Sequence, residues 1–403
     1  MFVLQYQFNT NFMNILIISE SIGSSAAGRV FKRFVESLLL KPELQLFVIA
    51  NKIDKSLKAK IDSEELNKPE LSNSRFYKAL FSLFIFDFEG YSRVRKGRKL
   101  FRKISHSFNP DIILVFASGL TYNSIELGVK IAKEYKKPLA IHCVDPMPAP
   151  EGWGEHPVLR KAIIKYAGKR LRKANFLSYI NEKMLNYQVD LLKISDKIQT
   201  AVLLNPFQYL PTNTINNTGK KLKFLYIGSF YIKRKPDKLI EAFIKFLTLN
   251  SNAELSFVGV GNNNTVMEAA KKHQQINVHS WTNEPEKFMT ETSVLIDMDA
   301  DIPNDVFIGS KLNNYIMYNK PILSISPIGS PSRQLLKDCQ NTIFFSDWSV
   351  DSIYNNILEI NNSNFSNDRF EERNYLRNQL NIENITYNLI SHLNAISSKE
   401  NIQ

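Results

Sequence analysis

Only two cysteines occur in 403 residues, Cys143 and Cys339, and they lie far apart in the chain. They form neither a disulfide framework nor a zinc-ligand spacing, and each reads as a small buried apolar residue of a reducing compartment. Long apolar runs are missing as well. The longest, Ala79–Phe86 and Ile112–Phe116, fall well short of the ~18–20 residues that a membrane-spanning helix needs. The opening MFVLQYQFNTNF has no basic segment and no small-residue cleavage site, so it makes a poor signal peptide. Met13 directly precedes the first strand-like run, and residues 1–12 read as an extension ahead of the fold. These absences together predict a cytoplasmic protein. Glycine is sparse, and neither G-x-G-x-x-G nor G-x-x-x-x-G-K-[ST] occurs, which argues against a dinucleotide fingerprint or a Walker-type loop.

The chain is 44% hydrophobic and 22% charged, the composition of a folded protein rather than a disordered one. Its net charge of +12 is unevenly placed. Residues 1–205 hold 32 Lys+Arg against 19 Asp+Glu, a net +13, whereas residues 206–403 hold 19 against 20, a net −1. The first half therefore faces an anionic partner: a membrane surface, a nucleic acid or a phosphorylated acceptor. Two runs concentrate the charge. Arg93–Lys103 has seven cations in eleven residues, Arg160–Lys173 has seven in fourteen, and neither contains an acid. Aromatic Phe81–Phe88 precedes the first run. That pairing suggests interfacial contact with an anionic membrane, against the plainer reading of a solvated charged face. No nucleic-acid reading motif accompanies the charge.

Short β-branched or aromatic runs alternate with helical patterns through both halves. Strands are expected at Asn14–Ile18, Leu46–Ala50, Asp111–Phe116, Leu139–Val144 and Phe176–Ile180. In the second half they are expected at Lys223–Ile227, Leu255–Val258, Val278–Trp281, Val294–Met298 and Pro321–Ser326. Helices are expected between them, for example Val30–Leu40, Ile125–Tyr135 and Asp237–Thr248. Such alternation, repeated twice, implies an α/β protein of two Rossmann-like, doubly wound parallel-sheet domains. The boundary falls in the aperiodic, Pro- and Asn-rich stretch from Asn205 to Lys221, which gives domains of residues 13–205 and 206–403. The C-terminal 40 residues read as helix, the last of them returning to the first domain.

In parallel sheets ligands bind beyond the carboxyl ends of the strands, and four such loops stand out. Ser19–Ser25, with Gly23 and Ser24, is a small-residue turn before a helix, either an anion site or simply a tight turn. His142 and Asp145 end an interior strand, where the imidazole either faces a ligand or is a structural core residue. Gly228-Ser229-Phe230 is followed by Lys233, Arg234 and Lys235, suited to a diphosphate or else a solvated basic loop. Gly309-Ser310-Lys311-Leu312 opens a helix and offers a further anion site. Asp297-Met298-Asp299 matches the D-x-D pattern of some metal-dependent transferases, but two alternating carboxylates on a strand are a frequent chance pattern, and they are assigned no metal.

These loops together resemble the GT-B glycosyltransferases, specifically the family-4-like group. The most specific stretch is FIGSKLNNYIMYNKPILSISPIGS (Phe307–Ser330), which is similar to that family's PSKLxEYxxxGKPIL segment beneath the donor nucleotide. FLYIGSFYIKRKPDKLIEAF (Phe224–Phe243) resembles its strand–Gly–basic-loop–helix unit, SFVGVG (Ser256–Gly261) its IxGxG strand end, and Asn181-Glu182-Lys183 its S/N-E-K segment. This chain departs at three positions, with Gly309 for the family's Pro, Asn319 for its Gly and Asn314 for the Glu that grips the donor ribose.

The resemblance implies two domains facing a cleft and hexosyl transfer with retention, without a metal. The donor is a nucleotide-diphosphate sugar, and the acceptor is a glycan or lipid-linked molecule of surface polysaccharide or glycolipid synthesis. It places Arg234 and Lys235 on the donor diphosphate with Gly228, Ser229, Gly309, Ser310, Lys311 and Leu312, and Asn314 at the ribose. It places His142 at the transferred sugar, with Gly23, Ser24 and Asp145 facing the diphosphate or acceptor. The membrane contact falls to Arg93–Lys103, at the inner face of the membrane. Asn314 in place of Glu motivates the alternative, a degenerate GT-B scaffold that binds a sugar nucleotide without turnover.

Overall fold

A computed structural model describes residues 12–66, 75–119, 122–208, 221–231 and 233–400. Nearly all of the proposed N-terminal extension and residues 209–220 of the boundary stretch lie outside them. The chain forms two compact units. One holds the chain up to Ala149, His156–Leu204 and the stretch from Ile382 onward. The other holds Pro150–Glu155 and Asn205–Asn381.

The first unit is built on a parallel sheet of seven strands: β1 (Met13–Ile22), β2 (Leu44–Ile53), β3 (Asp62–Glu65), β4 (Ile112–Ala117), β5 (Leu139–Cys143), β6 (Phe176–Tyr179) and β7 (Gln199–Val202). They run in the order β3-β2-β1-β4-β5-β6-β7. The order reverses between β1 and β4, whose parallel register pairs Ile15 with Ile112 and Ile18 with Val115. β4 and β5 are buried at every position, because helices cover both faces of the sheet. Among those helices, Ala26–Leu39 starts at Ser25, whose Oγ accepts from Gly28 N at 2.9 Å. The final helix, Ile382–Glu400, belongs to this unit. There the His392 ring stacks on Phe176 with centroids 4.8 Å apart and its Nδ1 lies 2.6 Å from Gln199 Nε2.

The second unit repeats the plan with six strands: β8 (Lys223–Ile227), β9 (Glu254–Val258), β10 (Ile276–His279), β11 (Val294–Met298), β12 (Ile322–Ile325) and β13 (Ile343–Ser346). All are parallel, in the order β10-β9-β8-β11-β12-β13, with the reversal between β8 and β11. The helix Asp237–Leu247 buries Leu239, Phe243 and Phe246 against Phe224 of β8. Ile353 and Ile357 of the helix Val350–Asn362 join the same core.

One buried cation ties the C-terminal part of this unit down. Arg373 is 0% exposed. Its Nε donates to Thr342 Oγ1 (2.9 Å), and its terminal nitrogens donate to the carbonyls of Tyr318 (3.0 Å) and Thr342 (2.9 Å). Arg373→Met removes three donors and leaves their acceptors buried. It is expected to cost about 3 kcal/mol or more and to lower the melting of this unit by roughly 6–12 °C, as calorimetry of the two variants would read.

Candidate functional site

At the β8–β11 switch point of the second unit, two strand ends and two loops converge. β8 ends at Ile227 and the chain turns at Gly228, whose φ is +127°. A side chain is strained at that angle, and a methyl group there would also collide with Nζ and Cε of Lys311. The lysine thus lies directly over the glycine. Arg234, six residues on in the same loop, is 8% exposed, its guanidinium 5.1 Å above the Tyr231 ring. The loop is held by Arg234 N donating to Tyr231 O (2.9 Å) and Asp301 N donating to Lys233 O (3.1 Å).

β11 contributes Asp297 and, just past its end, Asp299, 5% and 2% exposed. Burial raises the Asp297 carboxyl above the ordinary range, while Arg234 and then Lys311 pull it back. Burial also raises Asp299, and the neighbouring charge of Asp297 raises it further. Asp299 Oδ1 accepts from Ser332 Oγ at 3.0 Å. The second oxygens of both carboxylates and the Nε of Arg234 are buried without a hydrogen-bond partner. Two cations and a pair of proton-hungry carboxylates therefore meet at the strand ends. Among the described residues, no group of three or more His, Cys, Asp or Glu is arranged to hold a metal ion.

A segment that follows β5 joins the same unit. Gly152 (φ +100°) and Gly154 (φ +85°) flank Trp153. Its indole packs on Phe307 and Tyr231, with centroids 4.8 and 5.7 Å apart, and its Nε1 donates to Asp305 Oδ1 at 3.0 Å. Asp305 also accepts from Val306 N (2.8 Å) and Phe307 N (3.3 Å), and burial raises its carboxyl. In sequence PAPEGWG (Pro148–Gly154) reads as an irregular loop of the sort that reaches over a site, but no pattern singles out its Trp153. The two positive-φ glycines around it were the signal, since they let the loop bend a large ring back onto the sheet ends.

The residues singled out in sequence separate clearly. Gly228, Arg234 and Lys311 come together, with Gly309 beside Asp297 Oδ1. Ser229 and Ser310 are exposed at the margin, and Leu312 is a core residue with 0% exposure. The expected Arg234–Lys235 pair does not form. Lys235 points to solvent, and Lys311 stands as the second cation. The reason is local: the loop alternates exposed and buried positions, so adjacent cations face opposite ways. Asn314 is buried. Its Oδ1 accepts from Gln208 N at 2.6 Å and its Nδ2 donates to Ser310 O at 3.4 Å, so the amide braces the incoming chain.

His142 is not at a surface. It is 0% exposed, packed against Phe34 (5.1 Å) and Phe116 (6.0 Å), and its Nδ1 lies 3.0 Å from Ser178 Oγ. Burial pushes its pKa down to about 3, so the ring is neutral. Alternation along β5 aims it into the helix layer, and a ring enclosed there meets no substrate. In the same unit Gly23 (φ +99°) turns against Asp54, Ser24 is exposed with its Oγ 2.5 Å from Ser21 Oγ, and Asp145 accepts from Gly119 N at 3.3 Å.

No protein-family model matches the chain, and no curated protein does. Solved structures match over nearly its whole length. Anabaena HepE, solved with UDP and glucose, has a TM-score of 0.67 at 13% identity, covering 95% of this chain and 100% of its own. A glycosyltransferase from Rickettsia africae gives 0.66 at 12% identity over 96% and 98%. The UDP-GlcNAc 2-epimerase of Neisseria meningitidis, bound to UDP-GlcNAc, gives 0.53 at 12% identity over 94% and 99%. At such identities the likeness is one of fold. The chain has the two-sheet GT-B fold.

Proposed function

We propose that the protein is a glycosyltransferase that takes a hexosyl unit from a nucleotide-diphosphate sugar and transfers it with retention to a glycan or lipid-linked acceptor of surface polysaccharide or glycolipid synthesis. The observation that carries this reading is the pairing of Arg234 and Lys311 at the β8–β11 switch point, where Gly228 lets one cation lie against the backbone. A crevice beyond the strand ends is where α/β sheets take ligands. Two cations there suit a diphosphate, and the buried, unpartnered atoms of Arg234 and its carboxylates suit a polar ligand. The resemblance of Phe307–Ser330 to a donor-binding segment and the UDP seen with a neighbour of the same fold support it further.

In this reading the chemistry is electrostatic. Glycosyl transfer generates negative charge on the departing diphosphate as the anomeric bond breaks. Arg234 and Lys311 meet that charge, so the leaving group departs without a proton from a general acid. No cofactor or metal is assigned. Two other outcomes are distinguishable. A scaffold that only binds would show donor binding with no product. An epimerase, suggested by the epimerases among the neighbours, would convert a UDP-sugar with no acceptor present. The test is a panel of UDP-, GDP-, ADP- and CMP-sugars, first by thermal shift and then incubated with and without acceptor glycans. Acceptor-dependent release of nucleoside diphosphate supports transfer. Absence of any donor binding sinks it.

The carboxylate pair gives a pH signature. Because the folded state holds its protons more tightly than the unfolded one, ionisation of Asp297 and Asp299 opposes folding, and stability falls as pH rises through their raised range. The same ionisation puts negative charge beside the diphosphate site. UDP affinity is expected to weaken between about pH 6 and about pH 8, by up to roughly tenfold per pH unit for one linked proton. Asp299→Asn is expected to flatten the slope, as titration calorimetry across that range would show.

A further inference from the structure

The first unit carries a surface that glycosyl transfer does not use. The helices Arg75–Phe84 and Phe88–Ile104 meet at a turn through Ile85, whose φ is +53°. A β-branched residue in the left-handed region is an outlier that needs support from its surroundings. The turn exposes a ridge of rings. Phe84 is 63% exposed, Phe88 45% and Tyr91 55%. They form a chain with Phe86, the centroids of Phe84–Phe88, Phe86–Phe88 and Phe86–Tyr91 lying 5.5, 4.9 and 5.5 Å apart. Leu83 (75%) and Phe76 (66%) extend the apolar face. An apolar surface this continuous is unusual on a water-facing protein.

Beside the ridge, and sharing Phe86 and Tyr91 with it, lies a groove of about 450 Å³. Its wall is cationic. Arg98 and Arg102 bind Glu134, and Lys130 and Arg170 bind Glu126, whereas Arg95 and Lys99 are exposed, line the groove and form no ion pair among the described residues. Its floor is built as well. The amide of Asn123, 4% exposed, lines the groove with neither its oxygen nor its nitrogen hydrogen-bonded, and Gly90 is the residue that leaves room for it, since any Cβ there would overlap that amide.

We propose that this face docks on an anionic phospholipid bilayer, the ring ridge entering the interface and the cationic groove taking headgroup phosphate. Rings with a polar or cationic flank prefer the boundary between hydrocarbon and water, and each cation held near an anionic leaflet adds attraction that falls off within a Debye length. No described helix is long and apolar enough to cross a membrane, so the contact is peripheral. The sequence pointed to Arg93–Lys103 as a whole. The structure narrows the charge to the Arg95 and Lys99 side of that helix, because Arg93 is buried on Glu20, and puts the rings ahead of it. The proposal does not depend on the glycosyl-transfer reading.

The test is flotation of the full chain with phosphatidylcholine vesicles and with vesicles containing phosphatidylglycerol, in the absence of any sugar nucleotide. Binding to the anionic vesicles alone, weakened by salt, is expected. Phe84→Ser with Phe88→Ser, and separately Arg95→Gln with Lys99→Gln, should each reduce it at least tenfold. Lys271→Gln with Lys272→Gln, on the second unit, should not. All these side chains are exposed, and unchanged melting checks each fold. Equal binding to neutral vesicles, or ridge and groove variants that bind like the parent, would overturn the proposal. So would millimolar pyrophosphate that raises the melting temperature only when Arg95 and Lys99 are intact while vesicles are ignored, because the groove would then serve a soluble anion.

Discussion

Arg234→Ala should lower sugar transfer by roughly a hundred- to a thousandfold, the loss seen when one preorganised donor to a developing oxyanion is removed. The guanidinium is 90% or more enclosed, so its field on a diphosphate is little screened, and the loop that carries it is pinned at Tyr231 and Asp301. The same change leaves Asp297 and Asp299 facing one cation fewer, and an uncompensated buried charge alone costs about 3–5 kcal/mol. The two effects separate in one set of variants. Arg234→Ala combined with Asp297→Asn relieves the charge imbalance and should recover melting without recovering activity. Arg234→Lys should keep the fold and restore part of the affinity, since an ammonium supplies charge without the planar fork. Activity that returns with melting in the double variant would assign Arg234 a structural role only.

Gly228→Ala should weaken nucleotide binding at least about tenfold and lower stability by about 1–3 kcal/mol. The stability loss follows from φ +127°, where an L-residue is strained whatever the space around it. The binding loss follows from a different cause. The new methyl group would occupy the position of Lys311 Nζ and Cε, and the flexible lysine would swing away. Lys311→Ala removes the same cation directly. The losses in affinity of the two single variants should therefore fail to add in the double variant, because the second change removes a contact already lost. Additive losses would mean that Gly228 and Lys311 act on the ligand separately.

The two sheets were legible because parallel strands buried on both faces read as continuous apolar runs: IILVF, KFLYI and VLIDM are strands within a residue of where the sequence put them. Three strands were not foreseen. β3 (Asp62–Glu65) and β7 (Gln199–Val202) are edge strands, half exposed and held by backbone bonds to one neighbour, so their side chains carry no strand signature. β13 (Ile343–Ser346) is apolar but four residues long, too short for periodicity to separate it from helix. At the site, glycine was the readable letter. Gly228 reads in sequence as room for a ligand at the backbone, whereas the group that lies against it is Lys311, through a contact between positions 228 and 311 that no local pattern encodes. Asp297-Met298-Asp299 looked like a chance pattern, and only burial beside Arg234 distinguishes it. His142 erred in the opposite direction. Its place near a strand end suggested a ligand, while the phase of β5 turned it inward.

The central claim is that the β8–β11 switch point of the second unit holds a nucleoside diphosphate through Arg234 and Lys311. Titration calorimetry of the intact chain with UDP, GDP, ADP and their nucleosides tests it most directly, repeated on Arg234→Lys and Lys311→Ala. The account predicts that at least one diphosphate binds while its nucleoside does not, and that both variants weaken it. Tight binding that is the same in the parent and both variants, or no binding of any diphosphate, would contradict it.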